Sequence, residues 1–355
     1  NWQTRCLEGA VGFNARAGST PALGIIFMGI RIVVDVMGAD KPPSELIKGA
    51  QAAAKRLPLN LILVGKRGEI HPHLDPALPV EVVHAPDVVG MDEPPLRAAR
   101  KRDSSLVKGI RLLAEGNAEA FLSPGNTGAI VAAAVFILGR LPGVSRPGLC
   151  AAIPTLTGKE LYLIDAGATV DCKPHNLLQF AQMGESYARE ALGVEHPKVG
   201  LLNVGEEEIK GDKLAREAYK LLSGRGNFVG NVEPHRLIDE RPVDVVVCGG
   251  FAGNLTIKAL EGGAEVVWES LKRAIGDSTS GKLAALLLRR RLRALSQRLR
   301  YERYNGAPLL GVRGLVFVAH GRSSAAAIEA AVERTFWSAQ AGLLGRVEEA
   351  LTRQE

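Results

Sequence analysis

The stretch Ser123-Pro124-Gly125-Asn126-Thr127-Gly128-Ala129 separates two apolar runs, residues 118–122 and 130–138. The first reads as a short strand. The second is too long and too alanine-rich for a typical strand and reads as a buried helix. A strand, a glycine-rich turn and a helix start gather several backbone N–H groups around one small space. The first N–H groups of a helix lack intrahelical partners and lie at the positive end of its dipole, so such a turn suits an anion. A tight turn with an ordinary helix cap explains the same residues, so the rest of the chain has to decide.

Five further turns share this polar, glycine-bearing character. VVDVMGADKPP (33–43) ends a strand with Asp35, Gly38 and Asp40. LIDAGATVDCKP (163–174) supplies Asp165, Gly167, Asp171 and Lys173. LLNVGEEEIKG (201–211) supplies Asn203, Gly205, a glutamate run and Lys210. CGGFAGN (248–254) opens the backbone at Gly250 and Gly253 and places Asn254 at a helix start. VAHGRS (318–323) adds His320 and Gly321. Each alone reads as turn chemistry, with Asp and Asn as caps and Gly at positive φ. Six together, all at strand ends, point to a ligand.

Other chemistries fail on spacing. GDSTSGKL (276–283) lacks the hydroxyl of a phosphate-binding P-loop, because Leu283 occupies that position, and a helix precedes it. There is no intact G-x-G-x-x-G for a nicotinamide cofactor and no G-x-S-x-G elbow for a serine hydrolase. His71-Pro72-His73 has no third ligand at a metal-binding spacing. Cys6, Cys150, Cys172 and Cys248 show no CxxC spacing, which fits a reducing compartment without a disulfide framework or structural zinc. Cys172 lies beside Asp171, whose charge disfavours a thiolate. None of these motifs supplies a metal site or a nicotinamide site.

The elements that must carry these turns alternate. Strand-like runs at 30–35, 60–64, 80–84, 161–164, 199–204, 243–247 and 315–319 are near-continuous apolar segments. Helix-like stretches cover 43–56, 104–115, 174–192, 213–222, 254–275 and 323–351. Apolar strands alternating with helices imply a mostly parallel sheet covered on both faces, with ligands beyond the carboxyl ends of the strands. The fold class is therefore α/β, a three-layer α/β/α arrangement. One segment breaks the rhythm: GKLAALLLRRRLRALSQRLRYER (281–303) joins leucines to arginines as a basic amphipathic helix or helix pair. It suits an anionic membrane surface, an acidic protein, a dimer interface or simply a solvated face.

The chain has 355 residues, 46% hydrophobic and 23% charged, enough for one large α/β domain. Its net charge of +6 favours acidic partners. Nucleic acid is disfavoured, since no zinc-finger spacing, RRM-like aromatic motif or basic tail is present. No stretch is long and apolar enough for a membrane span. Residues 1–28 read as a leader or extension without functional content, with Met28 a natural start. Residues 29–355 read as one α/β domain with an amphipathic insertion at about 278–303.

From residue 30 to beyond residue 324, the chain resembles the phosphate acyltransferase (PlsX) family of bacterial phospholipid synthesis. The strings that carry the resemblance are IRIVVDVMGAD, DEPPLRAARKRDSSL, SPGNTGA, DAGATVDCKP, VGLLNVGEEEIKG, GFAGN and AHG, in order and spacing. Departures are Lys41 where the family usually has histidine, Pro124, Thr169 where asparagine is common, and Cys248-Gly249-Gly250 in place of the usual aspartate. The resemblance implies an isopropylmalate-dehydrogenase-like α/β/α fold. It also implies a cofactor-free enzyme that transfers a long acyl chain from acyl carrier protein to inorganic phosphate. A homodimer is expected, cytoplasmic or peripheral on the inner face of the cell membrane.

Phosphate is already a nucleophile, so such a reaction needs a held phosphate and a stabilised oxyanion rather than an activated serine or cysteine. On this reading Ser123, Asn126, Thr127 and Gly128 bind phosphate, and Lys210 is the cation near the developing charge. Read from the residues alone, Lys210 is as well explained as a solvated loop lysine. Asn254 is the donor to the acyl oxygen. Asp35, Gly38, Asp165, Asp171, Lys173, Asn203, Gly250, Gly253, His320 and Gly321 complete the substrate-binding set. The aspartates orient lysines or cap turns, and His320 serves either as proton donor to the departing thiol or as an oriented structural residue. Leu286, Leu287, Arg289, Arg290, Arg291 and Arg293 are expected to contact membrane or carrier protein. The alternatives are a short-chain enzyme using coenzyme A and a non-catalytic carrier-protein or membrane scaffold.

Overall fold

The computed structural model describes residues 29–239, 243–292 and 305–352. Within them, an 11-stranded sheet runs in the order β3-β2-β1-β4-β11-β10-β5-β6-β9-β7-β8. The strands are β1 Ile30–Asp35, β2 Leu59–Gly65, β3 Val80–His84, β4 Ala120–Ser123, β5 Gly148–Pro154 and β6 Glu160–Ile164. They continue with β7 Val199–Leu202, β8 Phe228–Val232, β9 Val245–Val247, β10 Ala307–Leu310 and β11 Leu315–Val318. The principal helices are α1 Pro43–Ala54, α2 Ser105–Ala114, α3 Thr127–Ile137, α4 Pro174–Leu192 and α5 Lys213–Leu222. After them come α6 Gly250–Gly276, α7 Thr279–Leu287, α8 Ala325–Gln340 and α9 Leu343–Thr352.

Period-two burial divides the strands between two helical layers, because successive side chains leave opposite faces of a strand. Val33, Phe121, Val316 and Val318 pack with Ile110, Ile130 and Ala133 on one face. Their neighbours Ile32, Val34, Leu122 and Phe317 pack with Leu46, Ile47, Ile328 and Phe336 on the other. The second half of the sheet repeats this arrangement. Ile164, Val245 and Val247 meet Phe180, Ala181 and Leu222, while Leu163 and Val246 meet Ile257 and Leu260. The layers are thus helix, sheet, helix.

β1, β4 and β11 are mutually parallel, as are β6, β9, β7 and β8. Between these groups β10 runs antiparallel to β11 and to β5, and β5 antiparallel to β6. Each group therefore gathers its own loops at its carboxyl ends, giving two clusters of turns.

Three strands, β5, β8 and β10, escape the periodicity reading. Gly148 and Pro154 bound β5, Gly230 interrupts β8 at φ +93, and Pro308 sits inside the short β10. The helix expected over 323–351 is two helices, because Gly342 adopts φ +64 between α8 and α9. Helix α6 begins at Gly250, four residues ahead of the expected start. Residues 1–28 and Arg293, with the rest of the basic segment to 303, lie outside the described residues.

Candidate active site

The first cluster of turns lies beyond β1, β4 and β11. Ser123, the last residue of β4, is fully buried, and its hydroxyl donates to Asp35 Oδ2 at 2.9 Å while accepting from Gly125 N at 3.1 Å. Asp35 also accepts from Met37 N at 3.1 Å. Burial raises the Asp35 carboxyl above its ordinary value, partly offset by these bonds. Gly38 lies against the turn, for a Cβ there would stand 3.3 Å from Gly125 Cα. Asp35, Gly38 and Ser123 therefore build the floor of the turn.

Asn126 caps α3 by accepting from Ala129 N at 3.1 Å. Its amide nitrogen donates to the carbonyls of Met91 at 2.9 Å and Glu93 at 3.0 Å. Both ends of the side chain are thus engaged, so Asn126 pins the loop 90–93 over the helix start. The anion donors left by this arrangement are backbone amides. Those of Asn126, Thr127 and Gly128 lie in the first turn, ahead of any intrahelical acceptor. The adjacent strand brings His320 close, since β11 pairs with β4 and Ala319 N donates to Ser123 O at 2.9 Å.

Gly321 is buried, and Asp40 N donates to its carbonyl at 3.0 Å. His320 is held by a donor bond from its own N–H to Asn305 Oδ1 at 3.0 Å. Its Nε2 lies 3.3 Å from Glu261 Oε2 of α6, and the hydrogen bond with this carboxylate raises the imidazole above its ordinary value.

The second cluster lies beyond the adjacent strands β6, β9 and β7. Asp165 is buried and gathers four backbone donors. Oδ1 accepts from Leu149 N at 2.9 Å, Gly167 N at 2.9 Å and Ala168 N at 2.8 Å, and Oδ2 from Thr169 N at 2.6 Å. Burial raises this carboxyl, and the four N–H groups oppose the rise. Asp165 thus ties its loop into shape.

Helix α6 enters directly against that loop. A Cβ at Gly250 would come within 2.5 Å of Thr169 O, and one at Gly253 within 1.9 Å of Asp165 O. Only glycine permits this approach. Gly250 and Gly253 pack helix and loop backbone together. The approach delivers Asn254, exposed, across Gly167, where a Cβ would lie 3.3 Å from the Asn254 amide nitrogen.

The loop after β7 is stapled by Asn203, which is buried. Its Nδ2 donates to Lys210 O at 3.1 Å and its Oδ1 accepts from Val204 N at 2.8 Å. Asn203 is therefore a support for Lys210, whose side chain is exposed at the tip. Asp171 and Lys173 are exposed at the far end of the Asp165 loop, where Lys173 N donates to Asn176 Oδ1 as α4 begins. Leu286, Leu287, Arg289, Arg290 and Arg291 are exposed on α7 and beyond it.

Helix α6 joins the two clusters. Asn254, Lys258 and Glu261 recur at spacings of four and three and share one face. This face touches the Asp165 loop at one end and His320 at the other. Ala166 and Ala168 also pack against the core that contains Ala129 and Ile130 beneath the first cluster. Sequence reading missed Glu261, Lys258 and Asn305. The polar stripe on α6 is the one local signal for the first two, and Asn305 has none.

No side chain offers an activated sulfur nucleophile among Cys150, Cys172 and Cys248. Burial pushes the Cys150 and Cys248 thiols far up and raises Cys172 as well. Among the described residues, no group of three or more His, Cys, Asp or Glu side chains could hold a metal ion.

Comparison with known proteins gives one answer. A family model described as "Fatty acid synthesis protein" matches residues 30–345. A protein named phosphate acyltransferase from Acidobacterium capsulatum is 46% identical over 304 residues, 84% of this chain and 90% of that protein. One of the same name from Desulforudis audaxviator is 45% identical over 320 residues, 90% of this chain and 95% of that protein. The fold is that of a phosphotransacetylase from Streptococcus pyogenes, with TM-score 0.56, 15% identity, and coverage of 88% of this chain and 94% of that one. A 4-hydroxythreonine-4-phosphate dehydrogenase from Klebsiella pneumoniae shares it with TM-score 0.54, 12% identity, and coverage of 88% and 100%. The match along nearly the whole described chain, with the turns that build the site inside it, makes this chain an acyltransferase of the phosphate acyltransferase family.

Proposed function

We propose that this enzyme transfers a long-chain fatty acyl group from the thioester of acyl carrier protein to inorganic phosphate, forming acyl phosphate for phospholipid synthesis. The observation that carries the reading is the start of α3, where the amides of Asn126, Thr127 and Gly128 open onto a turn braced by Asp35 and Ser123. Phosphate bound there is neutralised in part by the helix dipole and presents an oxygen to the thioester. Thr127 adds a hydroxyl at the first helical position. Asn254 donates to the carbonyl oxygen as negative charge develops on it, and Lys210 supplies a cation from the loop after β7. Losing one such donor typically costs on the order of 10²–10³ in rate.

Acyl carrier protein is the donor that the family resemblance implies, and the charge of this chain is compatible with that acidic partner. The chain carries +6, and Arg289, Arg290 and Arg291 are exposed beside exposed Leu286 and Leu287. The same end of the molecule is proposed for peripheral membrane contact and homodimer formation. Among the described residues no helix is long and apolar enough to cross a membrane. The test is phosphate-dependent thiol release from palmitoyl-acyl carrier protein by wild type, Lys210→Ala and Asn254→Ala. Release that collapses in both folded variants supports the reading. No release by wild type with any chain length refutes it, and release unchanged in both variants moves the site elsewhere.

A further inference from the structure

A thioester carried on a protein reaches the phosphate turn on a tethered arm, so the body of the carrier has to rest on the rim of that turn. One rim is the segment 91–103, which Asn126 pins to the start of α3 through the carbonyls of Met91 and Glu93. The fit is close. A Cβ at Gly128 would stand 2.8 Å from Pro95 Cγ, so Pro95 lies directly on the first turn of α3. Ala98 and Ala99 are buried in the core that holds Ala129 and Ile130. With those alanines facing inward, Leu96, Arg97, Arg100 and Arg102 are all exposed. Lys101 is the cation that the fold keeps for itself, donating to Val88 O and Glu93 Oε1, both at 2.8 Å. Glu93 accepts from Gly90 N as well, at 2.9 Å. Of the other nearby acids, Asp103 pairs with Lys108 at 3.1 Å and Asp92 is exposed. Residues 96–102 themselves carry four cations and no anion.

We propose that Arg97, Arg100 and Arg102, together with Leu96, form the surface on which an acidic carrier protein docks to deliver the acyl thioester. The inference rests on the phosphate-transfer reading above and adds to it the place where the body of the donor sits. Arginine suits the task, because its planar guanidinium stays charged and meets a carboxylate with two hydrogen bonds at once. Three of them on one short segment also raise the local concentration of an acidic partner and guide it in. Arginines around an exposed apolar side chain have the composition of a protein interface. A lipid surface fits this segment less well, since Met91 and Leu96 are its exposed large apolar side chains. Leu283, Leu286 and Leu287 of α7 offer the broader apolar face that insertion among lipids needs. The two surfaces thus divide two tasks. A carrier seated on residues 96–102 leaves its arm beside the amides of Asn126, Thr127 and Gly128, because Pro95 and Asn126 hold segment and turn together.

The experiment compares wild type with the triple variant R97Q/R100Q/R102Q, which leaves Lys101 and its contact with Glu93 in place. Each is given palmitoyl-acyl carrier protein and, separately, palmitoyl-pantetheine, which has the arm without the protein. With the carrier-protein donor, kcat/KM is expected to fall about ten-fold or more, the scale of electrostatic guidance. Its dependence on salt between about 50 and 300 mM should flatten. With palmitoyl-pantetheine the loss should stay within about two-fold, because exposed charges act weakly on a site they do not touch. Fluorescence anisotropy of labelled carrier protein reads docking without turnover, and its Kd should rise about ten-fold in the variant. Equal losses with both donors overturn the inference, and so does a Kd for carrier protein that the variant leaves unchanged. A variant that keeps its carrier-protein affinity but no longer binds phosphatidylglycerol vesicles overturns it in favour of a lipid surface. A wild type that binds carrier protein through these arginines, yet releases no thiol from either donor, refutes the phosphate-transfer reading and leaves the docking surface standing.

Discussion

Replacing Asp165 tests whether a single carboxylate shapes the loop that receives Asn254. Its two oxygens carry unequal loads: Oδ1 accepts from three backbone N–H groups and Oδ2 from Thr169 alone. In Asp165→Asn the amide oxygen can take the Oδ1 position and keep three bonds, while the new NH₂ faces the Thr169 N–H. A hydrogen bond to a charged group contributes about 1.5–3 kcal/mol, so loss of the Thr169 bond costs about 2 kcal/mol. Weakening of the other three is offset by removing a buried charge, and the expected net loss is about 1–3 kcal/mol. In Asp165→Ala all four donors lose their acceptor at about 1 kcal/mol or more each. Water entering the space recovers part, leaving about 4 kcal/mol. Urea unfolding followed by circular dichroism, with the slope m held common, measures both. An alanine variant within about 1 kcal/mol of wild type would refute the reasoning, as would an asparagine variant no better than alanine.

Gly253→Ala forces a methyl to within 1.9 Å of Asp165 O, backbone that cannot swing aside. A loss of about 2–4 kcal/mol is expected, against a gain of up to about 1 kcal/mol for Gly68→Ala, where nothing lies within 4 Å. Thermal melts of the two variants should therefore move in opposite directions. Asn126→Asp keeps the cap of α3 but sets a carboxylate against the carbonyls of Met91 and Glu93. It should loosen the 90–93 loop and raise KM for phosphate by about ten-fold, about 1.4 kcal/mol, with proteolysis of that loop as an independent readout. The Glu261–His320 pair raises the folded imidazole above its ordinary value. Its stabilising contribution is therefore complete below about pH 6.5 and fades as pH rises through the raised value. Unfolding free energy measured from pH 5.5 to 8.5 should lose that decline in E261Q, and an unchanged profile would count against the pair.

Local sequence carried much of the architecture. Alternating apolar runs and turns reveal the parallel groups of strands, and Asn126, Asp212 and Ser324 cap their helices where short polar residues precede apolar runs. What stays hidden depends on residues far apart in the chain. Ser123 gives no local sign that its hydroxyl donates to Asp35, 88 residues away. The second role of Asn126, holding carbonyls some 35 residues earlier, has no local signature. Glu261 lies in an unremarkable amphipathic helix, and only the pairing of β11 with β4 brings His320 to it. Glycines show the same limit: nothing local to Gly250 and Gly253 tells that the backbone of Asp165 and Thr169 packs against them.

Helix α6 runs for 27 residues, about 40 Å at 1.5 Å per residue. Its opening turns are wedged against the Asp165 loop, and Ile257 and Leu260 fix it to the sheet. Beyond them Val266 and Val267 stand exposed, and the helix continues out to the exposed leucines of α7. Mechanically it is a lever with a short inner arm and a long outer one. A small tilt at its seat swings the far end widely, and contact at the far end is geared down into fine movement at the inner arm. Because Asn254 and Glu261 share that arm, they turn as one body. Whatever docks on the outer reach of this helix bears on the Asp165 loop and on the His320 contact at once.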